Sequence, residues 1–108
     1  MEKIDLLQGT LHMLVLKTLS RGPMNGHALA RFIKLTTEDA LHLGEGTLYP
    51  ALYRMERKGW ITSKWGLSEN NRKARYYRLT SAGRKQLAHE SKAWANISDA
   101  IAKVMQTA

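Results

Sequence analysis

The side chains that most often do covalent or metal chemistry are thinly spread along this chain. Its four histidines, His12, His27, His42 and His89, fall on separate stretches, and no two lie four residues apart. Metal ligation needs several such groups to converge, so no metal site is expected. There is no cysteine, which removes disulfides, thiolate catalysis and Cys-ligated zinc. Gly44-Glu45-Gly46 opens in the manner of a phosphate loop, but the Lys-Ser/Thr pair that completes one is missing. No Gly-x-Ser-x-Gly elbow occurs, and no two carboxylates share an apolar setting. These residues imply no enzyme and no cofactor. The chemistry they do offer is non-covalent. Tyr49 and Tyr53 stand one helical turn apart beside Arg54 and Arg57, and a second basic group follows at Arg72, Lys73 and Arg75. Such cations pair with phosphates, and arginine also reads base edges. The plain alternative is a pair of surface tyrosines and a solubilised hairpin, although a solvated face rarely carries two large aromatics together.

The distribution of charge favours the nucleic-acid reading. The chain has 108 residues, enough for one core and one domain, with 44% hydrophobic and 24% charged residues, ordinary for a globular fold. Lys and Arg number 17 against 9 for Asp and Glu, a net +8. Ten of those basic residues and three of the acidic ones lie between Glu45 and Lys85, so +7 of the excess is local. A solvated basic face would also produce this. A polyanionic partner is the other explanation, nucleic acid before an acidic membrane. The longest mostly apolar run, Leu11 to Leu19, is too short to span a bilayer and contains His12, Lys17 and Thr18. The N-terminus lacks the order of a signal peptide, so a cytoplasmic protein without membrane contact is expected.

The elements that must position these residues follow from periodicity and punctuation. A first helix is expected over Asp5 to Ser20, apolar on most sides through Leu7, Leu11, Leu14 and Val15 and therefore buried on most sides. Arg21-Gly22-Pro23 stops it, and Asn25 caps a second helix with Leu29, Phe32 and Ile33 inward. Thr36 to Leu43 reads as a linker. A third helix opens at Gly46-Thr47 with Thr47 as its N-cap and Pro50 in the first turn; Leu48, Leu52 and Met55 point to the core. Gly59 closes it in the left-handed conformation. Trp60 to Trp65 and Arg75 to Leu79 make a β-hairpin turning at Asn70-Asn71, with Trp60 and Trp65 read as core. Thr80 caps a long last helix in which Leu87, Trp94, Ile97, Ile101 and Val104 keep near-heptad spacing. The expected fold is mainly α with a small β-hairpin: a winged helix-turn-helix over residues 1–79 and a C-terminal dimerisation helix over 80–108.

Several runs together resemble the PadR family of bacterial transcriptional regulators. They are Gly46-Thr47-Leu48-Tyr49-Pro50-Ala51-Leu52, then Glu56, Gly59, Ile61 and Trp65, then Tyr76-Tyr77-Arg78-Leu79-Thr80 with Gly83-Arg84 and Leu87. Asp5 to Leu11 and Gly22-Pro23-Met24 fit the family's first helix and turn, so the similarity spans nearly the whole chain. His27 stands where the family usually carries a tyrosine, and the short C-terminus matches the family's smaller branch. The resemblance implies a bacterial dimer, mostly a repressor, in some members released from DNA by small aromatic or amphipathic compounds.

The expected DNA-binding residues are Thr47, Tyr49, Pro50, Tyr53, Arg54 and Arg57 on the third helix and Asn71, Arg72, Lys73 and Arg75 on the wing. Leu7, Leu11, Trp94, Ile97, Ile101 and Val104 are expected at a homodimer interface, where two Trp94 indoles either fill the core or admit a flat aromatic effector. The partner is double-stranded DNA carrying a pseudo-palindromic operator. A basic protein binding nucleic acid without sequence preference, and a ligand-carrying module with vestigial DNA binding, are the competing functions.

Overall fold

Capping residues set most of the element boundaries. The computed structural model describes residues 8–108, so Leu7 lies outside the described residues. Helix α1 covers Gln8–Leu19, short strand β1 Met24–Asn25, α2 Gly26–Thr36, α3 Glu45–Arg57, β2 Ile61–Leu67, β3 Lys73–Leu79 and α4 Ser81–Met105. Asn25 caps α2 by accepting from the Ala28 N–H at 2.8 Å, and Thr80 caps α4 by accepting from the Gly83 N–H at 3.0 Å. Each such cap contributes about 1 kcal/mol. Gly59 takes φ +78° directly after α3, a left-handed value that glycine accepts without strain.

Two expectations about α3 are corrected. Gly44, not Thr47, is the N-cap, and no side chain caps it. The helix gains an earlier start because Glu45 sits in its first turn, where the helix dipole favours an acid. Pro50 therefore lies inside the helix rather than in its first turn, and the Gly46 carbonyl loses its usual N–H partner.

The core gathers one face from every helix. Val15, Leu16, Leu29, Leu48, Leu52, Met55 and Ile61 are fully buried together. Helix α1 runs through the middle, with Leu11, His12, Val15, Leu16, Thr18 and Leu19 all buried, as its many-sided apolarity implied. The hairpin carries a third strand that sequence reading left out: the order is β1-β3-β2, all antiparallel. Cross-strand pairs run Ile61↔Leu79, Ser63↔Tyr77, Trp65↔Arg75 and Leu67↔Lys73, which place these eight side chains on one face. At the base of that face Ile61 and Tyr77 enter the core; farther out the strands leave it.

Helix α4 begins against the turn between α3 and β2. A Cβ on Gly83 would overlap the Trp60 carbonyl oxygen, so only glycine permits this approach. The Thr80 hydroxyl donates to the Gly59 carbonyl at 2.6 Å and ties the same turn to the helix start. Leu87 packs on the core, and farther along α4 one apolar row stays exposed.

Candidate nucleic-acid interface

Helix α3 presents Tyr49 and Tyr53 outward because Leu48, Ala51, Leu52 and Met55 fill the opposite side. Tyr53 is 61% exposed, and Arg57 one turn later donates to its hydroxyl at 3.3 Å with the guanidinium 5.7 Å from the ring centre. Tyr49 is more fixed. Its ring lies over Gly26 at the start of α2, where a Cβ would come within 2.7 Å of the phenol oxygen. Thr47, Pro50 and Arg57 are exposed on the same helix. Arg54 departs from this set: it is half-buried, with Nε enclosed and unpartnered among the described residues.

Below Arg54 lies a histidine that the sequence offered only as a rejected metal ligand. His12 on α1 is buried, its ring edge-on to Trp60 at 5.6 Å between centroids, and Nε2 has no hydrogen-bond partner among the described residues. Burial lowers its pKa from the ordinary 6.5, and the positive charges of Arg54 and Lys58 lower it further. His12 therefore stays neutral under α3.

The wing projects its cations beside this helix. Asn71, Arg72, Lys73 and Arg75 are all exposed, and Asn71 takes φ +59° at the tip, a conformation asparagine tolerates better than most residues. Trp65 corrects the expectation that it packs in the core, since it is 62% exposed. The register explains why: Trp65 pairs with Arg75, beyond the Ser63↔Tyr77 pair where burial ends. Trp60 is half-buried and packs against the core, with the Lys58 ammonium 4.7 Å above its ring. Among the described residues the ion pairs are Lys34–Asp39 at 3.8 Å and Lys103–Asp99 at 3.3 Å, both outside Glu45–Lys85. Among the described residues, the local excess of +7 is thus not neutralised by ion pairs.

The apolar candidates separate into two groups. Leu11 is 3% exposed inside the chain's own core, so it has no surface to offer a second copy, contrary to the sequence expectation. Trp94, Ile97, Ile101 and Val104 are all exposed on α4, joined by Met105 at 77%. A shallow cavity of about 270 Å³ lies between Gly9, Thr10 and Met13 of α1 and Glu90, Trp94 and Ile97 of α4. Among the described residues no His, Asp or Glu group could hold a metal, and no helix is long and apolar enough to cross a membrane.

Comparison with known proteins agrees with this architecture. The model of the transcriptional regulator PadR-like family matches residues 15–89. A PadR family transcriptional regulator from Eggerthella lenta is 32% identical, with 94% of this chain and 86% of that one covered and a TM-score of 0.78. A transcriptional regulator from Clostridium thermocellum is 29% identical over 93% of this chain and 97% of its own, TM-score 0.83. A PadR-like transcriptional regulator from Bacillus cereus is 25% identical, with 94% and 97% covered and a TM-score of 0.81.

Proposed function

The chain belongs to the PadR-like family of transcriptional regulators, and from that premise we propose that it is a homodimeric repressor that reads a pseudo-palindromic operator. The observation that carries this reading is the cleft between α3 and the wing, lined by Tyr49, Arg72, Lys73 and Arg75, whose cations form no ion pair with a carboxylate among the described residues. Helix α3 enters the major groove, with Thr47, Tyr49, Pro50 and Tyr53 nearest the bases. Asn71, Arg72, Lys73 and Arg75 run along the backbone, and Arg54 steadies α3 from its half-buried position.

The exposed stripe of α4 supports the dimer. An apolar row from Trp94 to Met105 is costly to leave in water, and a two-fold axis near it pairs the row with itself. The same axis places two half-cavities at Trp94 and Glu90 face to face. A small aromatic or amphipathic effector stacking on the indoles there changes the spacing of the two α3 helices and releases DNA.

The test compares a labelled duplex bearing the inverted repeat upstream of the chain's own coding region with a scrambled duplex of equal length. A specificity ratio of about 10³ or more supports the regulator. Equal affinity for both duplexes identifies a basic protein without sequence preference. Sedimentation as a monomer at micromolar concentration removes the dimer and, with it, the effector site.

A further inference from the structure

The wing carries an aromatic residue that neither the core nor the expected phosphate contacts use. Trp65 stands 62% exposed on the outer half of the sheet. It is held by two cations of the neighbouring strand, the Arg75 guanidinium 5.5 Å and the Lys73 ammonium 5.9 Å from the ring centre. Arg75 is held in turn. Its Nε donates to the Ser63 hydroxyl at 2.9 Å, and that hydroxyl donates to the Glu56 carboxylate at 2.6 Å. Glu56 belongs to α3, so an unbroken chain of contacts runs from α3 through Ser63 and Arg75 to the indole. Across from Trp65, a cleft of about 580 Å³ separates it from Tyr49 and Gly26, with His27, Lys73 and Arg75 also on its walls. Among the described residues no carboxylate lines this cleft.

We propose that this cleft seats the sugar–phosphate ridge of one DNA strand, with Trp65 packing on a deoxyribose, Arg75 and Lys73 on the flanking phosphates, and Glu56 acting through Ser63 as a positioning residue. The inference rests on the DNA-binding reading above and adds to it a contact by a residue that carries no charge. The chemistry matches the occupant. A deoxyribose presents an apolar face between two anionic groups, and the wing presents an indole between two cations. In a winged domain the ridge between major and minor groove passes between recognition helix and wing, where this cleft opens. With its Nε bound to Ser63, Arg75 loses less side-chain freedom on meeting a phosphate than a free arginine does. Among the described residues the two terminal nitrogens of its guanidinium make no hydrogen bond.

Because the contact is with the backbone, it is tested without knowledge of an operator. A labelled random-sequence 30-base-pair duplex at low salt is titrated with the full chain and with Trp65→Ala, Trp65→Phe, Ser63→Ala and Glu56→Gln. Thermal melting of each variant is followed in parallel. Trp65→Ala should bind about tenfold more weakly and Trp65→Phe within about threefold of the parent, both with an unchanged melting midpoint, since the side chain is mostly in solvent. Ser63→Ala and Glu56→Gln should each weaken binding a few fold by freeing Arg75. Tryptophan emission should be quenched by DNA in the parent, and Trp65→Phe should abolish most of that change while Trp60 and Trp94 still emit. Parent-like affinity in Trp65→Ala, with unchanged quenching in Trp65→Phe, overturns the inference while leaving the DNA-binding reading standing. A shift of Trp65→Ala to monomer in sedimentation also overturns it, because the indole would then face a second copy. If the parent binds no duplex at all, the regulator reading itself fails.

Discussion

The α3–wing face and the α4 stripe are both exposed, yet they are built in opposite ways. On the first, each of the three large aromatics is tethered. Tyr49 lies over Gly26, Tyr53 is bonded by Arg57, and Trp65 is held by Arg75, which is anchored through Ser63 to Glu56. On the second, Trp94, Ile97, Ile101, Val104 and Met105 are all exposed on one long helix, and the one ion pair among the described residues of α4, Lys103–Asp99, lies on the surface, where such pairs contribute little. A polyanion is met best by cations already in place, because each free side chain must otherwise be ordered on binding. An apolar row needs no such preparation, since burial against a copy of itself is non-directional. The difference is one of preparation: the side chains of one face are held in place within the single chain, and the other is an apolar row that the chain leaves exposed, as the proposed dimer requires.

The largest expected effect comes from breaking the unfinished face. Ile101→Glu places a charge in the middle of the α4 stripe. The variant should sediment as a monomer, and operator affinity should fall by about 100-fold or more, since two linked half-sites become two separate encounters. Affinity for random DNA should change far less. If the variant remains dimeric, the stripe is not the interface.

Next in size is removal of the phosphate contacts proposed for the wing. Replacing Arg72 and Lys73 by alanine should weaken binding to all DNA and flatten the plot of log affinity against log salt by about 0.9 for each phosphate lost. An unchanged slope means that the wing tip never meets the backbone. Smaller again is Tyr53→Ala, chosen over Tyr49 because Tyr49 also packs on Gly26. Loss of a base-edge contact is worth about 1–3 kcal/mol. Operator binding should weaken accordingly with random-DNA binding unaltered. Equal loss on both assigns Tyr53 to the backbone.

The order of elements was legible because caps and breakers are local: Asn25, Gly59 and Thr80 each act within a turn of their own position. What was not legible depends on long-range geometry. Strand β1 has two residues, too few to show alternation, and exists only because Met24 and Asn25 meet Tyr77 and Tyr76. Thr47 has the type of an N-cap, but Gly44 took the role. Trp65 has the type of a core residue, and only the register reveals that it lies outside the core. Leu11 belongs to a helix apolar on nearly every side, so sequence could not tell which side faces the chain's own core. For the interface, the residue types pointed to one basic and aromatic face, but the link through Ser63 joins residues seven and twelve positions apart and has no local signal.

The smallest effect reaches the finished face from beneath. His12 is neutral because burial, with Arg54 and Lys58 of α3 and its C-cap nearby, holds its pKa below 6.5. In the unfolded chain the imidazole takes up a proton as pH falls through about 6.5, while in the folded chain it does not until lower pH. The unfolded state then binds more protons, so the stability associated with neutral His12 is complete above pH 6.5 and is lost progressively as pH falls toward the folded value. The melting midpoint should therefore decline between pH 7.5 and 5. His12→Leu keeps an apolar side chain against Trp60 and removes the titrating group, so that part of the decline should vanish. DNA binding at fixed salt provides the second readout. If protonation pushes Arg54 and α3 outward, the parent should lose operator affinity over the same pH range in which it loses stability, and the leucine variant should not. Identical pH profiles for parent and variant would show that His12 only fills space under α3.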